Sequence, residues 1–485
     1  MQKTYQHPAR EIPVYGEYDV IVAGGGPAGC AAAVASARLG AKTLLLEKDA
    51  YLGGATVSQN VLVILSTNAV DFQGIWHEYM DRLKARGGVY EDEFHHSPAQ
   101  FYGAVDPEVV KYAWDDLLGE AGVKILHHAP VIDVIRDGKK ILGVVAATKA
   151  GHRAFYARRV VDATGDGIVC EYAGVPWEQG ANGNKYAMAL TKAFRLGNVE
   201  PDAGPANEQE VIAMKENLRL ACERGEYKHP LMASGRASWY ICIKHLIWRL
   251  PRHRREVDLV TSRILRCDPL DPDEITRAER EGRQQVWEVA DFFKKYVPGC
   301  GNTYLVDSGA HVGVRSSRRV KGIATATEND AKNFVKYEDG IAKSSWDIDV
   351  WPSDSYVNPA VDRGSDEHNS RLVKLQHGEY FDIRYGCIVA AHVENLFMAG
   401  RIISAEHLAE SSLRIQQTCM ATGEAAGTAA ALSIQQNTPP HALDPAVVVN
   451  ALNETRSKTK PAFRLIAEAW KCFKNDGSIR DLKMF

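Results

Sequence analysis

The sequence predicts an α/β protein built on a Rossmann-like dinucleotide-binding unit, and three consecutive features within residues 18–48 support this prediction. An apolar run at residues 20–23 is typical of a strand buried on both faces of a parallel sheet. Glycines in the spacing G-x-G-x-x-G then lead into an alanine-rich helix. A second apolar run, at residues 44–46, ends in Glu47 about twenty residues after the glycines. The combination is more specific than the glycine spacing alone.

The three glycines and the acid have separate expected roles. Gly24 permits the tight turn, Gly26 lets a pyrophosphate approach the backbone, and Gly29 lets helix and strand pack closely. The helix that begins here points its unpaired N–H groups and the positive end of its dipole at the phosphate. Glu47 stands where a carboxylate would bind the ribose.

Composition and charge limit the class of protein. A length of 485 residues favours two or three domains. The 45% hydrophobic and 25% charged residues are typical of a soluble globular protein, and a formal net charge of -3 gives no reason to expect a nucleic-acid partner. Residues 1–17 lack the apolar core of a signal peptide, and no apolar run is long enough to cross a bilayer.

The nine cysteines are scattered and form no C-x-x-C pair. This pattern favours a reducing compartment over a disulfide or zinc framework. We therefore expect a cytoplasmic protein without a metal site.

The chain before residue 173 continues the α/β pattern. A helix is expected over residues 74–86, and another begins at Pro107 with Asp106 as its N-cap. The predicted strands are 123–126, a meander of 131–135, 141–147 and 153–158, and a buried strand that begins at residue 160 and runs into a second glycine turn.

The pattern changes between residues 173 and 384, where short helical segments alternate with loops. Residues 395–401 then form another strand that runs into a glycine turn, followed by a small-residue helix over 411–436. The expected organisation is a discontinuous nucleotide-binding domain (residues 15–172 and 386–437), an inserted α+β substrate or cap domain (173–385), and a C-terminal helical tail (438–485) with a helix near 461–473.

Several widely separated segments match one family in the same order. They are residues 24–29 with Glu47, 52–56, 161–167, 311–319, 399–404, and 412–414 with the helix that follows. With these segments the sequence resembles the FAD-dependent oxidoreductases that have a glutathione-reductase-like flavin domain, and it is most similar to the bacterial branch called simply "FAD dependent oxidoreductase".

The resemblance implies FAD as the cofactor, lying extended along the first domain. Its pyrophosphate would lie on residues 24–29, its ribose on Glu47 and its adenine beside Val131, while Gly400 and Arg401 would approach its ribityl and pyrophosphate portion. The cofactor-binding residues implied in this way are Gly24, Gly26, Pro27, Ala28, Gly29, Glu47, Lys48, Gly54, Ala55, Thr56, Val131, Ala163, Thr164, Gly165, Gly400 and Arg401.

Motifs that the sequence lacks exclude some classes of FAD-dependent enzyme. The sequence has no second G-x-G-x-x-G and no cysteine pair that could serve as a redox disulfide, which argues against a disulfide reductase with its own NAD(P)H domain. The last flavin strand ends in Ala399-Gly-Arg401, where aromatic hydroxylases usually have Gly-Asp. The family's Pro-Tyr-Arg-Cys is replaced by Arg384-Tyr-Gly-Cys387, so one arginine has changed position.

Three residues are candidates for the chemistry. His407 lies between the last flavin strand and the small-residue helix, where family members similarly have a histidine, and imidazole suits proton transfer near neutral pH. The alternative is a loop histidine that only binds the backbone. Arg315 and Arg414 could hold a carboxylate, phosphate or polarised carbonyl of the substrate, whereas the alternative, which also applies to Arg318 and Arg319, is ion pairing between domains.

These features predict a dehydrogenase or reductase that acts on a small polar molecule by hydride transfer through flavin N5. The helix expected to begin near Ser411 would direct its dipole at the flavin. The alternatives are a flavin monooxygenase and a non-redox, thiazole-synthase-like dinucleotide binder. Expected partners are the small-molecule substrate and an external electron donor or acceptor, and assembly of identical subunits is compatible with the sequence.

Overall fold

The structure is a computed structural model that describes residues 5, 8–65, 74–89, 102–181, 183–201, 203–204, 208–229, 247–249, 255–354 and 378–458. The helix predicted near 461–473 lies outside the described residues. The strands are β1 (Val14–Ala23), β2 (Thr43–Leu46), β3 (Val63–Leu65), β4 (Tyr102–Ala104), β5 (Lys124–Leu126), β6 (Val131–Asp137), β7 (Lys140–Thr148), β8 (Gly151–Asp162), β9 (Trp177–Glu178), β10 (Phe194–Gly197), β11 (Ile247–Arg249), β12 (Val257–Leu259), β13 (Tyr304–Ser308), β14 (Arg319–Val320), β15 (Gly340–Ser344), β16 (Phe381–Arg384) and β17 (Leu396–Met398). The helices are α1 (Pro27–Arg38), α2 (Ala55–Ser58), α3 (Ile75–Ala85), α4 (Pro107–Glu120), α5 (Ile168–Ala173), α6 (Glu208–Glu223), α7 (Pro272–Tyr296), α8 (Glu328–Asn333), α9 (His407–Leu413), α10 (Gln416–Gln435) and α11 (Pro445–Lys458).

A parallel sheet in the order β5-β2-β1-β8-β17 forms the centre of the fold. The strands on both sides of the first glycine turn are buried over their apolar runs, as the sequence predicts. Asp106 caps α4 by accepting a hydrogen bond from the backbone N–H of Glu108, again as predicted. The predicted α/β class with a Rossmann-like domain is confirmed.

β8 differs from its prediction. Residues 153–158 and the strand beginning at residue 160 were expected as separate strands, but they form one strand of 12 residues. β1 pairs with β8 from Ala154 to Asp162, so the chain has no room for a break. The first part of β8 carries the antiparallel meander with β7 and β6, and its last part joins β17 in the parallel sheet.

The predicted helix over residues 411–436 is also corrected, because α9 and α10 are separate helices. Ile415, with φ -70° and ψ 157°, is extended and lies between them. Serine side chains hold α9 against the chain that follows β15. The hydroxyl of Ser412 donates to the carbonyl of Trp346 at 2.5 Å, and the hydroxyl of Ser411 accepts from the backbone N–H of Asp349 at 3.1 Å.

A second, antiparallel sheet in the order β11-β12-β10-β13 lies within the predicted inserted region. Apolar residues of this sheet pack with α6 and α7 in a separate core. By contrast, Ile341 and Phe381, from β15 and β16, pack in the core of the parallel sheet although they fall within the same predicted region. The boundaries of the domains therefore stay a prediction.

Within the described ranges, no helix is long and apolar enough to cross a membrane. No group of three or more histidine, cysteine, aspartate and glutamate side chains in these ranges could hold a metal ion.

α1 and α10 cross at very close range. A β-carbon added to Gly423 would lie 2.0 Å from the carbonyl oxygen of Ala28, and one added to Gly427 would lie 2.0 Å from that of Ala32. Such distances are impossible without movement of the backbone, so only glycine fits at these two positions. The small residues of α10 therefore serve helix packing.

This contact gives a stability prediction. We expect Gly423→Ala to lower the free energy of unfolding by about 1–3 kcal/mol or more, because the methyl group would push the two helices apart. Gly119→Ala is the matched control. An added β-carbon there meets no atom of the described residues within 4 Å, and alanine should stabilise α4 by roughly 0.5–1 kcal/mol. Urea denaturation of both variants measures the difference, and equal stabilities would contradict the packing argument.

Candidate active site

In the first glycine turn, a side chain would clash with the backbone at two of the motif glycines, whereas the third leaves space for a ligand. A β-carbon on Gly24 would lie 2.5 Å from the carbonyl oxygen of Ala163, and one on Gly29 would lie 1.8 Å from that of Gly24. On Gly26 the nearest atom would be 3.8 Å away, at Gly54. α1 begins with Pro27, and no side chain in the described part of the chain caps it. The open face of Gly26 and the free helix start, which includes Ala28, fit a pyrophosphate.

Glu47 is held against this turn. Its carboxylate accepts hydrogen bonds from the backbone N–H of Gly25 at 2.5 Å and of Asp49 at 2.7 Å. Burial raises the pKa of Glu47, and the two hydrogen bonds oppose that rise. The neighbouring Lys48 is exposed. The backbone N–H of Ala129 donates to the Glu47 carbonyl at 2.8 Å, which brings the chain just before Val131 to the same place.

The second glycine segment links the turn to α10. The backbone N–H of Gly53 donates to the carbonyl of Gly25 at 2.9 Å. α2 begins at Ala55, and the Thr56 hydroxyl donates to the side-chain oxygen of Gln416 at 2.9 Å. The predicted residues at 54–56 therefore lie between the start of α1 and the start of α10.

The third segment, after β8, is shaped by its own side chains. The Thr164 hydroxyl donates to the buried carboxylate of Asp162 at 2.8 Å and accepts from the backbone N–H of Ile168 at 3.0 Å. Ala163 donates its backbone N–H to the carbonyl of Ala23 at 2.8 Å. Gly165 follows with φ +78°. The Thr164 side chain thus stabilises the turn.

Arg401 connects three of the predicted segments. Its guanidinium donates to the carbonyl of Gly165 at 2.5 Å, to the carboxylate of Asp166 at 2.5 Å, and to the carbonyl of Val314. The preceding Gly400, with φ +79°, lies against Ala28. Arg401 binds protein groups on several sides, and its predicted contact with FAD stays a prediction.

The start of α10 is open to a polar ligand. No side chain within the described ranges caps its first turn. The side-chain oxygens of Gln417 and Thr418 are buried and have no hydrogen-bond partner among the residues that the structure describes. Buried polar atoms normally have partners, so these oxygens and the free N–H groups fit the polar edge of a bound cofactor.

The family to which the chain belongs shows which dinucleotide it binds. Residues 19–454 match the model of the family described as "FAD dependent oxidoreductase". The chain belongs to this family. It is an FAD-dependent oxidoreductase, and FAD is its cofactor, as the sequence predicts.

Individual relatives of this oxidoreductase are distant. The tRNA uridine 5-carboxymethylaminomethyl modification enzyme MnmG of Alkaliphilus metalliredigens is 31% identical over 200 residues, which cover 38% of this chain and 30% of that protein. The thiamine thiazole synthase of Methanothermobacter thermautotrophicus is 27% identical over 159 residues, covering 31% and 57%. The chain thus spans less than two thirds of these curated relatives.

Among solved structures, a geranylgeranyl bacteriochlorophyll reductase-like protein from Thermoplasma acidophilum is 12% identical. The alignment covers 95% of this chain and 99% of that one, with a TM-score of 0.44.

The two arginines predicted to bind the substrate, Arg315 and Arg414, lie close together. Arg414 donates to the carboxylate of Asp349 at 3.1 Å and to its carbonyl at 3.0 Å. Arg315 donates to the carbonyl of Ala189 at 2.6 Å. Burial, followed by the positive charges of Arg263 and Arg414, lowers the pKa of Arg315, whereas Asp349 raises it. Arg263 lies outside every motif of the sequence and was not among the predicted site residues.

His407 is the first residue of α9, and its side chain is mostly buried. Its Nδ1 lies 3.9 Å from the carboxylate of Glu410. Glu410 is completely buried, accepts a hydrogen bond from the Ser316 hydroxyl at 2.8 Å, and lies 3.6 Å from the guanidinium of Arg319. The role of His407 as proton carrier stays a prediction.

Three other arginines form ion pairs. Arg318 pairs with Glu171 at 3.4 Å, and Arg319 pairs with Glu410 and, at 3.9 Å, with Glu178. Arg384, from the altered family motif, pairs with Asp339 at 3.0 Å. These contacts agree with the ion-pairing alternative for Arg318 and Arg319.

The open face of Gly26 gives a binding prediction. Its φ of -73° and ψ of 179° suit any residue, so Gly26→Ala should leave the stability of the FAD-free protein within about 0.5 kcal/mol. The methyl group would occupy the space that the pyrophosphate needs, and we expect FAD affinity to fall by roughly tenfold or more. Quenching of flavin fluorescence measures the affinity. Gly119→Ala is again the control, and unchanged binding by Gly26→Ala would place the pyrophosphate elsewhere.

Proposed function

We propose that this oxidoreductase is a dehydrogenase or reductase that exchanges a hydride with a small polar molecule carrying an anionic group. When bound, FAD supplies the chemistry of hydride exchange at N5 of the flavin ring. The residues of the chain bind the substrate, orient it and move the accompanying proton.

The observation that carries this proposal is that Arg315 lies close enough to Arg414 and to Asp349, the partner of Arg414, for their charges to act on it. Arg315 directly follows Val314, whose carbonyl accepts a hydrogen bond from Arg401. Arg414 lies two residues before α10, and the Cys419 thiol of that helix donates to the Arg414 carbonyl at 3.3 Å. Both guanidinium groups therefore belong to segments next to those that would hold the cofactor. Paired guanidinium donors are well suited to a carboxylate or phosphate.

Two further groups have roles in the proposal. His407 takes or gives the proton that accompanies hydride exchange, because imidazole is effective as an acid or base near neutral pH. The free N–H groups at the start of α10 stabilise negative charge on the polar edge of the cofactor. Since the sequence contains no second G-x-G-x-x-G, electrons come from or go to an external partner.

The proton role gives a kinetic prediction. We expect His407→Ala to slow flavin reduction by about 10²–10⁴-fold with the substrate bound. Stopped-flow absorbance under anaerobic conditions measures the rate, using a substrate found by anaerobic bleaching with a panel of hydroxy acids, amino acids and dicarboxylates. His441→Ala, a change at an exposed histidine, is the control and should reduce at the normal rate. A normal rate for His407→Ala would remove this residue from the mechanism.

The same anaerobic panel tests the reaction class. Bleaching by one of these compounds without oxygen supports a dehydrogenase. Bleaching by NAD(P)H, followed by reoxidation with an organic acceptor, supports a reductase. Oxygen incorporated into the organic product would instead show a monooxygenase, and a holoenzyme that no donor reduces would favour a protein without redox turnover.

A further inference from the structure

His407 and Glu410 lie three residues apart on α9, so their side chains are neighbours on one face of the helix. The Nδ1 atom of His407 is buried and has no hydrogen-bond partner among the described residues. A carboxylate oxygen of Glu410 lies 3.9 Å from it. The His407 side chain is 14% exposed, and because Nδ1 is buried, the exposed part lies elsewhere on the side chain. Nε2 is therefore the ring nitrogen left for a substrate.

A distant segment holds the carboxylate of Glu410 in place. Its Oε2 accepts a hydrogen bond from the Ser316 hydroxyl at 2.8 Å, and the guanidinium of Arg319 lies 3.6 Å away. All three side chains are buried. The other carboxylate oxygen, Oε1, has no hydrogen-bond partner within the described part of the chain. Glu410 thus has a fixed position and an unused acceptor atom.

The charge of Glu410 determines which atom of the pair carries a proton. A completely buried carboxylate needs a cation nearby, and Arg319 supplies it. At 3.6 Å the guanidinium compensates the charge without making a hydrogen bond of normal length. An ionised carboxylate can only accept hydrogen bonds, so a neutral His407 that interacts with it must carry its proton on Nδ1.

A second buried pair of the same residue types shows the closed form of this interaction. The Nδ1 atom of His229 lies 3.0 Å from a carboxylate oxygen of Glu288, on α7. The corresponding distance from His407 to Glu410 is 3.9 Å. A small rotation of either side chain would bring the His407 pair to the same hydrogen-bond distance.

We propose that Glu410 is a positioning residue that keeps the proton of neutral His407 on Nδ1 and so leaves Nε2 free as the base. This inference rests on the proposed function, in which His407 carries the proton. In the oxidising direction the substrate gives a proton from an O–H or N–H group to Nε2 and a hydride, with its electron pair, to the cofactor. Nδ1 keeps its proton, and the negative charge of Glu410 stabilises the imidazolium that forms.

The proton position is measured on the oxidised holoenzyme without any substrate. Protein labelled with ¹⁵N-histidine is observed by NMR at about pH 8.5, where imidazole is neutral and the spectrum distinguishes protonated from bare ring nitrogens. We expect the proton of His407 on Nδ1. In Glu410→Gln the amide NH₂ group can donate to Nδ1, so the proton should move to Nε2. His407→Ala assigns the signal.

Glu288→Gln is the matched control, because it makes the same change in the other histidine–glutamate pair. It should alter the signal of His229 and leave that of His407 unchanged. A wild-type His407 with its proton on Nε2 would overturn the inference, as would a proton that stays on Nδ1 in Glu410→Gln. The wild-type spectrum can decide against the inference by itself, and bound FAD, measured from absorbance, verifies that each variant is folded.

A double-mutant cycle shows whether Glu410 acts through His407. The probe is the compound of the anaerobic panel that bleaches the wild-type flavin most rapidly. Glu410→Gln should slow reduction at saturating compound by about 10- to 100-fold and change the half-saturating concentration less than about twofold, because the ring is charged only after proton transfer. In a His407→Ala background the same change should have no further effect. Equal losses in both backgrounds would show a purely structural role and contradict the inference.

The two measurements separate this inference from the proposed function. If a compound reduces the flavin through His407 but the proton position does not depend on Glu410, only the inference fails. If no compound exchanges electrons with the flavin, the proposed function fails, and the NMR spectrum still decides whether Glu410 positions the proton of His407.

Discussion

The close contact between α1 and α10 determines where the polar ends of both helices lie. Ala28 meets Gly423 and Ala32 meets Gly427, so the two helices run in the same direction. α10 begins seven residues before its contact with Ala28 and therefore extends about 10 Å beyond the start of α1. Two helix N-termini without side-chain caps are thus held at a fixed offset along the contact between α1 and α10. This is the arrangement that an extended cofactor with a charged middle and a polar head requires.

Arg401 connects other segments of the candidate site. It joins the turn after β8, at Gly165 and Asp166, to the loop before Arg315 through the carbonyl of Val314. A single guanidinium can do this because its donors point in several fixed directions. The segment that carries Arg315 is therefore fixed relative to the cofactor-binding turns, and a change at Arg401 should disturb both.

Arg263, Arg315 and Arg414 bring like charges close together at an energetic cost. Repulsion from Arg263 and Arg414 acts on Arg315, and Asp349 offsets only part of it. Arg318 and Arg384 have carboxylate partners, Glu171 and Asp339, whereas the buried Arg159 donates to the Ser433 hydroxyl and the Thr438 carbonyl. The excess of positive charge beside Arg315 agrees with the proposed binding of an anionic group there. Binding sites often keep unfavourable charge that a ligand then neutralises.

The sequence by itself determined the parts of the structure that depend on short-range geometry. The glycine spacing, Glu47 after β2 and the Asp106 cap could be predicted because each needs a particular backbone conformation or a hydrogen bond within a few residues. Only the tertiary structure decided where α10 begins and which arginines come together near Trp351. In the sequence, Arg315 lies about 50 residues after Arg263 and about 100 residues before Arg414. Long-range packing brings those side chains together, and no local pattern in the sequence encodes their distance.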